Sequence, residues 1–174
     1  MTKRKIDVTD YAKEITKSLA KGILITAKYG DKINPMVIGW GHVGRIWEKD
    51  VFVAYVRESR YTRELLDKSG EFTINVPIGT FDKKIMTLCG TKSGRDMDKI
   101  KETGLTPEEP EVISVPGLKE FPLTLECRVL YSQKQESAML EEPVRKLFYT
   151  PGTDRETDDH IAYYGEIVAA YIIE

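Results

Sequence analysis

With 174 residues, 26 of them basic and 28 acidic, the chain has a formal net charge of −2. So small a charge would not attract a polyanion, and we expect no nucleic-acid partner. Hydrophobic residues make up 41% of the sequence and charged residues 31%, which excludes the composition of a disordered chain, and the length suits a single domain over residues 1–174.

The first predicted elements are a helix and a hairpin. Asp10 is a candidate N-cap for a helix that Gly22 ends, and we expect residues 1–21 to form a helical cover for a sheet. From residue 23 the apolar pattern repeats every two residues, which predicts a strand before a turn at Gly30-Asp31. Short apolar runs rich in β-forming residues predict further strands at 34–40, 51–56 and 72–76.

Helices are predicted in the middle of the chain. Ser59 is a candidate cap for a short helix that Gly70 ends. Two more segments with helical spacing follow, at 82–88 and 95–102. A proline-rich segment at 106–122 then predicts a loop over the surface.

The last third of the chain is mostly strand. Leu123 opens an alternating run to residue 131 that predicts a half-buried strand, with Cys127 on the apolar face and Glu126 on the other. Residues 136–157 show no consistent helix or strand pattern and end in a predicted turn at Pro151-Gly152. Residues 160–173 again have the alternating pattern of a strand. Because strands and helices do not alternate as a doubly wound fold requires, we expect a mainly β fold, a β-barrel with helical insertions.

Residues 39–44, Gly-Trp-Gly-His-Val-Gly, match the GxGxxG pattern of dinucleotide-binding proteins. That pattern requires a helix directly after the glycines. Here only about six residues separate the glycines from the next strand-like run, too few for a crossover helix. We therefore interpret the glycines as marking a bent strand whose backbone closely approaches a ligand or another strand.

Two clusters carry groups that suit an anion. Arg57, Ser59, Arg60, Thr62 and Arg63 surround a predicted helix start, where amides, hydroxyls and guanidinium groups favour phosphate. The alternative is a capped, exposed turn. The glycine-interrupted segment 89–99 would bend backbone amides toward an anion, with Ser93 or Lys99 reaching a cofactor. The alternative there is a helix-loop-helix connection with solvated charges.

Two other features are candidates for a ligand site. Pro35 cannot donate a ladder hydrogen bond, so the strand at 34–40 should begin at an edge or bulge, where free amides can meet a flat polar ring. An aromatic core strand is the alternative. His160 follows Asp158-Asp159, and a neighbouring acid can hold one imidazole nitrogen. A lone surface histidine is the alternative.

The cysteine content and the lack of a recognisable targeting signal indicate a reducing compartment. No apolar run of a secretory signal follows the basic start, and no stretch reaches membrane-spanning length. Cys89 and Cys127 form neither a disulfide framework nor a Cys-x-x-Cys pair and are interpreted as core residues, and no cluster has metal-ligand spacing. We expect a cytoplasmic protein without membrane contact or a metal.

Four segments and an acid-histidine pair before the final strand form a pattern along the chain. The segments are Asn-Pro-Met-Val-Ile-Gly-Trp at 34–40, Tyr-Val-Arg-Glu-Ser-Arg-Tyr-Thr at 55–62, Gly-Glu-Phe-Thr-Ile-Asn-Val-Pro at 70–77 and Ser-Gly-Arg-Asp-Met-Asp-Lys at 93–99. Their order resembles the flavin reductase-like family, particularly its flavoredoxin branch, and the similarity runs from about residue 22 to the end of the sequence.

The resemblance implies an FMN-binding split barrel, usually a homodimer with flavin near the subunit interface. It implies that the phosphate end meets the stretch containing Ser59, Arg60 and Thr62, and that Lys99 and His160 come near the cofactor. Ser93 is also predicted to bind the cofactor, because it lies in the 89–99 segment. The strand implied to lie along the isoalloxazine consists of Asn34, Pro35, Met36, Val37, Ile38, Gly39 and Trp40.

Two positions depart from the family's usual pattern. Val37 stands where relatives often have threonine, so a flavin contact there would come from the backbone, and Asp158 stands where they often have glycine. The implied function is an oxidoreductase in which NAD(P)H reduces tightly bound FMN and electrons pass to a small-molecule or protein acceptor, with His160 as the candidate catalytic residue. The alternatives are an electron carrier that a protein partner reduces, and a module that binds haem or another flavin.

Overall fold

The computed structural model describes residues 2–151 and 158–174. One antiparallel sheet dominates it, with the strand order β3-β2-β6-β9-β10-β5-β4 and with β1 paired to β10, while β7 and β8 form a separate ribbon. The strands are β1 (Lys3–Lys5), β2 (Ile23–Tyr29), β3 (Lys32–Ile38), β4 (Gly41–Ile46), β5 (Lys49–Arg57), β6 (Glu71–Val76), β7 (Pro107–Glu108), β8 (Gly117–Leu118), β9 (Leu123–Lys134) and β10 (His160–Ile173).

Short helices are inserted between the strands. They are α1 (Val8–Leu19), α2 (Tyr61–Ser69), α3 (Lys83–Thr91), α4 (Lys99–Thr103) and α5 (Glu142–Tyr149), with a 3₁₀ turn at Ser137–Met139 before α5. The chain is therefore mainly β with helical insertions, as predicted. Gly152, part of the turn predicted from the sequence, lies outside the described residues. No helix among the described residues is both long and apolar enough to cross a membrane.

Several predicted helix starts were wrong. The N-cap of α1 is Asp7, not Asp10, because the Asp7 carboxylate accepts a hydrogen bond from the Thr9 amide at 2.9 Å. The residue before α2 is Arg60, without a side-chain cap, so Ser59 is not the cap. Gly70 does end α2, with a φ of 66°.

The two helices after β6 also differ from their predicted bounds. Helix α3 continues three residues past Leu88, to Thr91. Helix α4 begins at Lys99 instead of residue 95, because the Asp98 side chain accepts a hydrogen bond from the Lys101 amide and caps it there. The predicted cover at 1–21 also includes β1, which pairs with the end of β10.

The sheet curls until its two edge strands approach each other. Gly39 and Trp40 link edge strand β3 directly to edge strand β4, and the Tyr55 amide donates to the Trp40 carbonyl at 3.5 Å across this junction. Strand β10 shifts register against β9 after Tyr164, which bends the sheet. Gly165 at this shift leaves room for the Phe72 ring, since a Cβ there would lie 2.5 Å from it. The sheet is not closed, and the fold is split-barrel-like.

The core lies inside this curl. Ile25, Phe52, Phe72 and Leu125 are fully buried there, and Ile15 of α1 packs into the same cluster. A second apolar cluster lies between β2 and the α3–α4 segment and includes Leu24, Ile85, Cys89, Leu105, Leu118 and Phe121. Both faces of β2 are therefore buried, which places α3 and the loop that follows it beside the open edge of β3.

The prediction that Glu126 lies on an exposed face of its strand was wrong. Its side chain is fully buried because the 106–122 segment covers that face of β9. The Glu126 carboxylate accepts hydrogen bonds from the Tyr171 hydroxyl at 2.9 Å and from the amides of Glu111, Val112 and Ile113 at 2.6 to 3.1 Å. A buried charge is stable in such a place because each oxygen has donors.

The structure confirms that the GxGxxG pattern belongs to a strand. The chain after Gly39 and Trp40 forms a hairpin of β4 and β5, whose turn residues Trp47 and Glu48 have positive φ values of 52° and 59°. A Cβ at Gly41 would lie 2.8 Å from the Val53 carbonyl oxygen. This glycine thus permits a close approach to another strand, and no crossover helix follows it.

Candidate functional site

A groove runs along the open edge of β3 and has two connected parts. The larger part, of about 550 Å³, is the Trp40 lobe. The smaller part, of about 280 Å³, is the Ser93 lobe. Met36 and Arg60 line both parts, so the two form one continuous groove.

The groove brings together nearly all of the residues predicted from the sequence. The predicted residues in the Trp40 lobe are Met36, Val37, Ile38, Gly39, Trp40, Arg60 and His160. Those in the Ser93 lobe are Asn34, Met36, Ser59, Arg60, Thr62, Ser93 and Lys99. Pro35 takes part through its carbonyl, which binds Lys99. The predicted residues therefore lie together in one site. Their role in binding a ligand stays a prediction.

Strand β3 is an edge strand, as the proline indicated. The Pro35 carbonyl accepts a hydrogen bond from Lys99 and therefore points away from β2. Because backbone groups alternate in direction along an antiparallel strand, the amide and carbonyl of Val37 point to the same open side. The Asn34 side chain is buried and donates to the Thr62 hydroxyl at 2.8 Å, which fixes the start of β3 against α2.

Lys99 is a buried lysine, with only 3% of its surface exposed. Its ammonium donates to the carbonyls of Pro35 at 3.1 Å and Cys89 at 3.0 Å. Burial lowers the pKa of Lys99, opposed by the nearby Cys89 thiol. The side chain thus joins β3 to the end of α3 and places a cationic group in the Ser93 lobe.

The loop after α3 closes tightly on the groove. The Arg95 amide donates to the Ser93 hydroxyl at 3.2 Å, and the Asp96 amide to the Ser93 carbonyl at 3.2 Å, which together form a turn. A Cβ placed on Gly94 would lie 2.0 Å from the Asn34 side-chain oxygen. Only a glycine fits at this contact between the loop and β3.

The segment before α2 is held from two sides. The Ser59 amide donates to the Asp158 carboxylate at 2.8 Å, and the Ser59 carbonyl accepts from the Arg95 guanidinium at 3.1 Å. The same guanidinium forms an ion pair with Glu64. Asp158 therefore positions the start of α2.

His160 lies at the start of β10 and is 6% exposed. Its Nδ1 atom lies 2.8 Å from the Tyr149 hydroxyl, and its ring lies 4.7 Å from the Trp40 indole between centroids. The expectation that a neighbouring acid holds an imidazole nitrogen was wrong, and so was the surface alternative. Burial, reinforced by the charge of Arg57, lowers the pKa of His160 to about 4, so the imidazole is neutral at neutral pH.

Arg57, which lines the Trp40 lobe, contacts two separate parts of the chain. It donates to the carbonyls of Asp158 at 2.6 Å and Phe148 at 3.1 Å and lies over the Tyr149 ring. The sequence indicated Arg57 only as part of an anion cluster, and its links to β10 and α5 were missed. Tyr149 was missed altogether, because it lies in a stretch of mixed signals.

An apolar pocket of about 330 Å³ adjoins the Trp40 lobe. Trp40 forms part of it and packs edge-on against Phe148, with 5.1 Å between ring centroids. Leu140, Val144 and Tyr149 complete its apolar side. The position and the aromatic lining suit a second planar organic molecule beside whatever occupies the lobe.

The two cysteines do not serve as nucleophiles in this arrangement. Both are buried, as expected of core residues, and burial raises the pKa of the Cys89 thiol to about 11. Within residues 2–151 and 158–174, no group of three histidine, cysteine or acidic side chains is placed to hold a metal ion. The groove instead offers cations and hydroxyls at one end and aromatic and backbone groups at the other.

Comparisons with known proteins agree with this architecture. Residues 23–174 match the family described as Flavin reductase like domain. An uncharacterized protein of Archaeoglobus fulgidus is 29% identical over 138 residues, which cover 79% of this chain and 64% of that protein. An uncharacterized protein of Pyrococcus abyssi is 32% identical over 106 residues, which cover 61% and 59%. The chain thus spans less than two thirds of the length of these curated relatives.

Solved structures share the fold. Flavoredoxin from Methanosarcina acetivorans has a TM-score of 0.63 at 26% identity, over 88% of this chain and 68% of that one. Flavoredoxin of Desulfovibrio vulgaris (Miyazaki F) has a TM-score of 0.65 at 21% identity, over 88% and 69%. An FMN-binding domain of a flavin reductases-like enzyme from Shewanella baltica has a TM-score of 0.66 at 18% identity, over 98% and 77%. Because the family match extends over most of the sequence, this chain belongs to the flavin reductase-like family.

Proposed function

We propose that this chain binds FMN tightly in the β3 groove and acts as an oxidoreductase that NAD(P)H reduces. The observation that carries the proposal is the polarity of the groove. A lobe rich in cations and hydroxyls continues into a lobe lined by an open strand edge and aromatic rings. A molecule with a phosphate at one end and a flat polar ring at the other matches this order.

The Ser93 lobe fits a phosphate. Ser59, Arg60, Thr62, Ser93 and Lys99 would hold it, since hydroxyls, a guanidinium and an ammonium are the groups that bind phosphate oxygens. The fully buried Thr62 accepts a hydrogen bond from Asn34, which holds the start of α2 against β3 beside the lobe. The site also lies at the start of α2, where the helix dipole favours an anion.

The Trp40 lobe fits the ring. The strand from Asn34 to Trp40 would lie along it, with Met36 and Ile38 supporting the strand from the core and Val37 offering backbone groups at the open edge. Gly39 lines the lobe at the link to Trp40. The volume of about 550 Å³ is in the range of ligand pockets in general.

FMN held here would supply the redox chemistry, namely hydride acceptance from NAD(P)H and electron transfer to a small-molecule or protein acceptor. The chain contributes a neutral His160, whose Nδ1 atom is engaged by Tyr149 and whose Nε2 atom remains for other contacts. Because burial lowers its pKa to about 4, this imidazole stays neutral at neutral pH and offers a ligand a hydrogen bond. The apolar pocket at Trp40 and Phe148 is the proposed position for the nicotinamide or the acceptor.

We also propose that the chain forms a homodimer. Trp47, Tyr131 and Tyr164 form an aromatic patch on the outside of the sheet, with ring centroids 5.4 to 6.2 Å apart. Trp47 is 52% and Tyr131 44% exposed, and a second copy of this chain would bury this surface. The neighbouring charges of Lys49 and Glu166 already pair with each other. Light scattering should give twice the monomer mass, and a Trp47→Glu variant should shift it toward the monomer.

A second candidate is an electron carrier of the flavoredoxin type, which a protein partner reduces. The similarity to flavoredoxin from Methanosarcina acetivorans, at 26% identity, favours it. The two candidates differ in whether a nicotinamide delivers electrons at a useful rate.

Anaerobic rapid mixing distinguishes them. The FMN-loaded protein is mixed with NADH or NADPH, and the bleaching of flavin absorbance is followed. The oxidoreductase proposal predicts rapid bleaching with at least one nucleotide, slowed in a His160→Gln variant and unchanged in a His42→Gln control. If neither nucleotide bleaches the flavin while a reduced ferredoxin does, the chain is a carrier.

A further inference from the structure

A third cavity lies beyond the phosphate end of the groove. It has a volume of about 370 Å³ and is lined by Asp31, Asp98 and Ile100, among others. We call it the Asp31 pocket. It adjoins the Ser93 lobe at Tyr61, Gly94, Arg95 and Asp96, which line both spaces, and we call the boundary formed by these residues the wall.

The Arg95 side chain spans this wall. Its guanidinium donates two hydrogen bonds to the Ser59 carbonyl, at 3.1 and 3.2 Å, and forms an ion pair with Glu64. It also lies over the Tyr61 ring, 5.5 Å from the ring centroid. Beside it, Gly94 packs against both Asn34 and Tyr61 with no room for a Cβ.

The charge changes sign across the wall. On the groove side, the cations of Arg60, Lys92, Arg95 and Lys99 outnumber the shared carboxylate of Asp96 and favour a phosphate. On the other side, the Asp31 pocket is lined by the carboxylates of Asp31, Asp96 and Asp98, against Lys32 and the wall residue Arg95. A phosphate that ends at the wall lies among cations, whereas a diphosphate that continued past it would meet these carboxylates.

We infer that Arg95 is an end stop that selects flavin mononucleotide over flavin adenine dinucleotide. It would bind the terminal phosphate of FMN and close the path that the adenosine half of FAD would need. The inference rests on the proposed function, because it concerns which flavin the groove accepts. Arg95 is then a specificity-determining residue of the site.

Arg95 could act by blocking the path with its side chain or by its positive charge, and two substitutions distinguish these effects. Arg95→Ala removes both, and it uncovers the Tyr61 ring, on which an adenine could stack. Glu64→Gln keeps the guanidinium charge but removes the anion that holds it across the wall. Arg45→Ala is the matched control, since Arg45 is an arginine paired with Asp50 and Glu48 in the β4–β5 hairpin, away from the groove.

The experiment is a titration of flavin-free protein with FMN and with FAD, followed by flavin fluorescence. For the wild type we expect FMN to bind at least about tenfold more tightly than FAD. In Arg95→Ala, FMN binding should weaken by about tenfold while FAD binding is kept or improves, so that the ratio approaches one. Glu64→Gln should reduce the ratio mainly by improving FAD binding, and Arg45→Ala should leave it unchanged.

Three results would overturn the inference. If the wild type binds both flavins equally, there is no end stop. If Arg95→Ala weakens both by the same factor and Glu64→Gln changes neither, Arg95 is only a phosphate contact. If the wild type binds neither flavin, the proposed function itself fails, a result distinct from equal binding of both.

Discussion

The imidazole of His160 packs against the indole of Trp40, with 4.7 Å between the ring centroids and 39° between the ring planes. His160 begins β10, and Trp40 joins the two edge strands of the sheet. The contact therefore ties the last strand to the junction at which the barrel is split. Both rings line the Trp40 lobe, so a change at either one should alter the groove without unfolding the core.

Acid should destabilise the protein through His160. Its pKa is about 4 in the folded chain and 6.5 in the unfolded chain, so between these values the unfolded state binds more protons. Stability is then fully present above about pH 6.5 and falls as the pH drops toward 4, by at most about 3 kcal/mol. Urea unfolding at several pH values should show a steeper loss for the wild type than for His160→Gln. Parallel pH profiles would contradict this assignment.

Removing the ammonium of Lys99 should weaken both the fold and the site. Lys99→Met leaves the carbonyls of Pro35 and Cys89 without their donor in a buried place, at a cost of about 3 kcal/mol. FMN affinity should fall as well, because a cation leaves the Ser93 lobe. Chemical unfolding and FMN titration measure the two effects. The control Lys101→Met changes an exposed lysine of the same helix and should alter neither.

A methyl group at residue 94 should disrupt the groove. In Gly94→Ala the Cβ would overlap the Asn34 side chain, so the 92–96 loop must move away from β3. We expect FMN affinity to fall by at least about tenfold, a change of about 1.4 kcal/mol in binding free energy. Gly44→Ala is the control, since a Cβ there meets only the His42 ring at 3.9 Å. Equal FMN affinity in both variants would show that the loop does not shape the site.

Glu126 should contribute to stability through its carboxylate. Glu126→Gln turns one acceptor into an amide group that faces backbone N–H donors of residues 111–113, and we expect a loss of about 2–4 kcal/mol. Thermal unfolding measures it, with the exposed Glu14→Gln as the control. FMN binding should not change, because Glu126 is remote from the groove lining. A loss below that of the control would contradict this role.

Local sequence patterns predicted the residues of the groove better than the long-range hydrogen bonds that hold them in place. Pro35 indicates an edge strand because it lacks an amide proton, and the glycine and serine of the 89–99 segment indicate a loop. Both sides of the groove could therefore be predicted from the sequence. The Ser59 amide, by contrast, bonds to Asp158, a contact 99 positions away that no local pattern contains. The same holds for the pairing of His160 with Tyr149, which depends on how α5 packs.

Burial was misjudged where a distant segment covers a strand. The alternation in β9 correctly placed Cys127 in the core, but it describes only the strand itself. The cover over Glu126 comes from an irregular loop, whose path has no periodic signal. The start of α1 was misjudged for a local reason, since Asp7 and Asp10 are both acceptable caps and only the structure shows which one bonds to an amide.

FMN binding in the β3 groove is tested most directly on the purified chain. The protein is incubated with excess FMN, desalted and scanned for the visible absorption bands of oxidised flavin, and the released chromophore is identified. We expect one FMN retained per chain, with little retained by Gly94→Ala or Lys99→Met. A wild-type protein that emerges colourless and does not quench FMN fluorescence would contradict it.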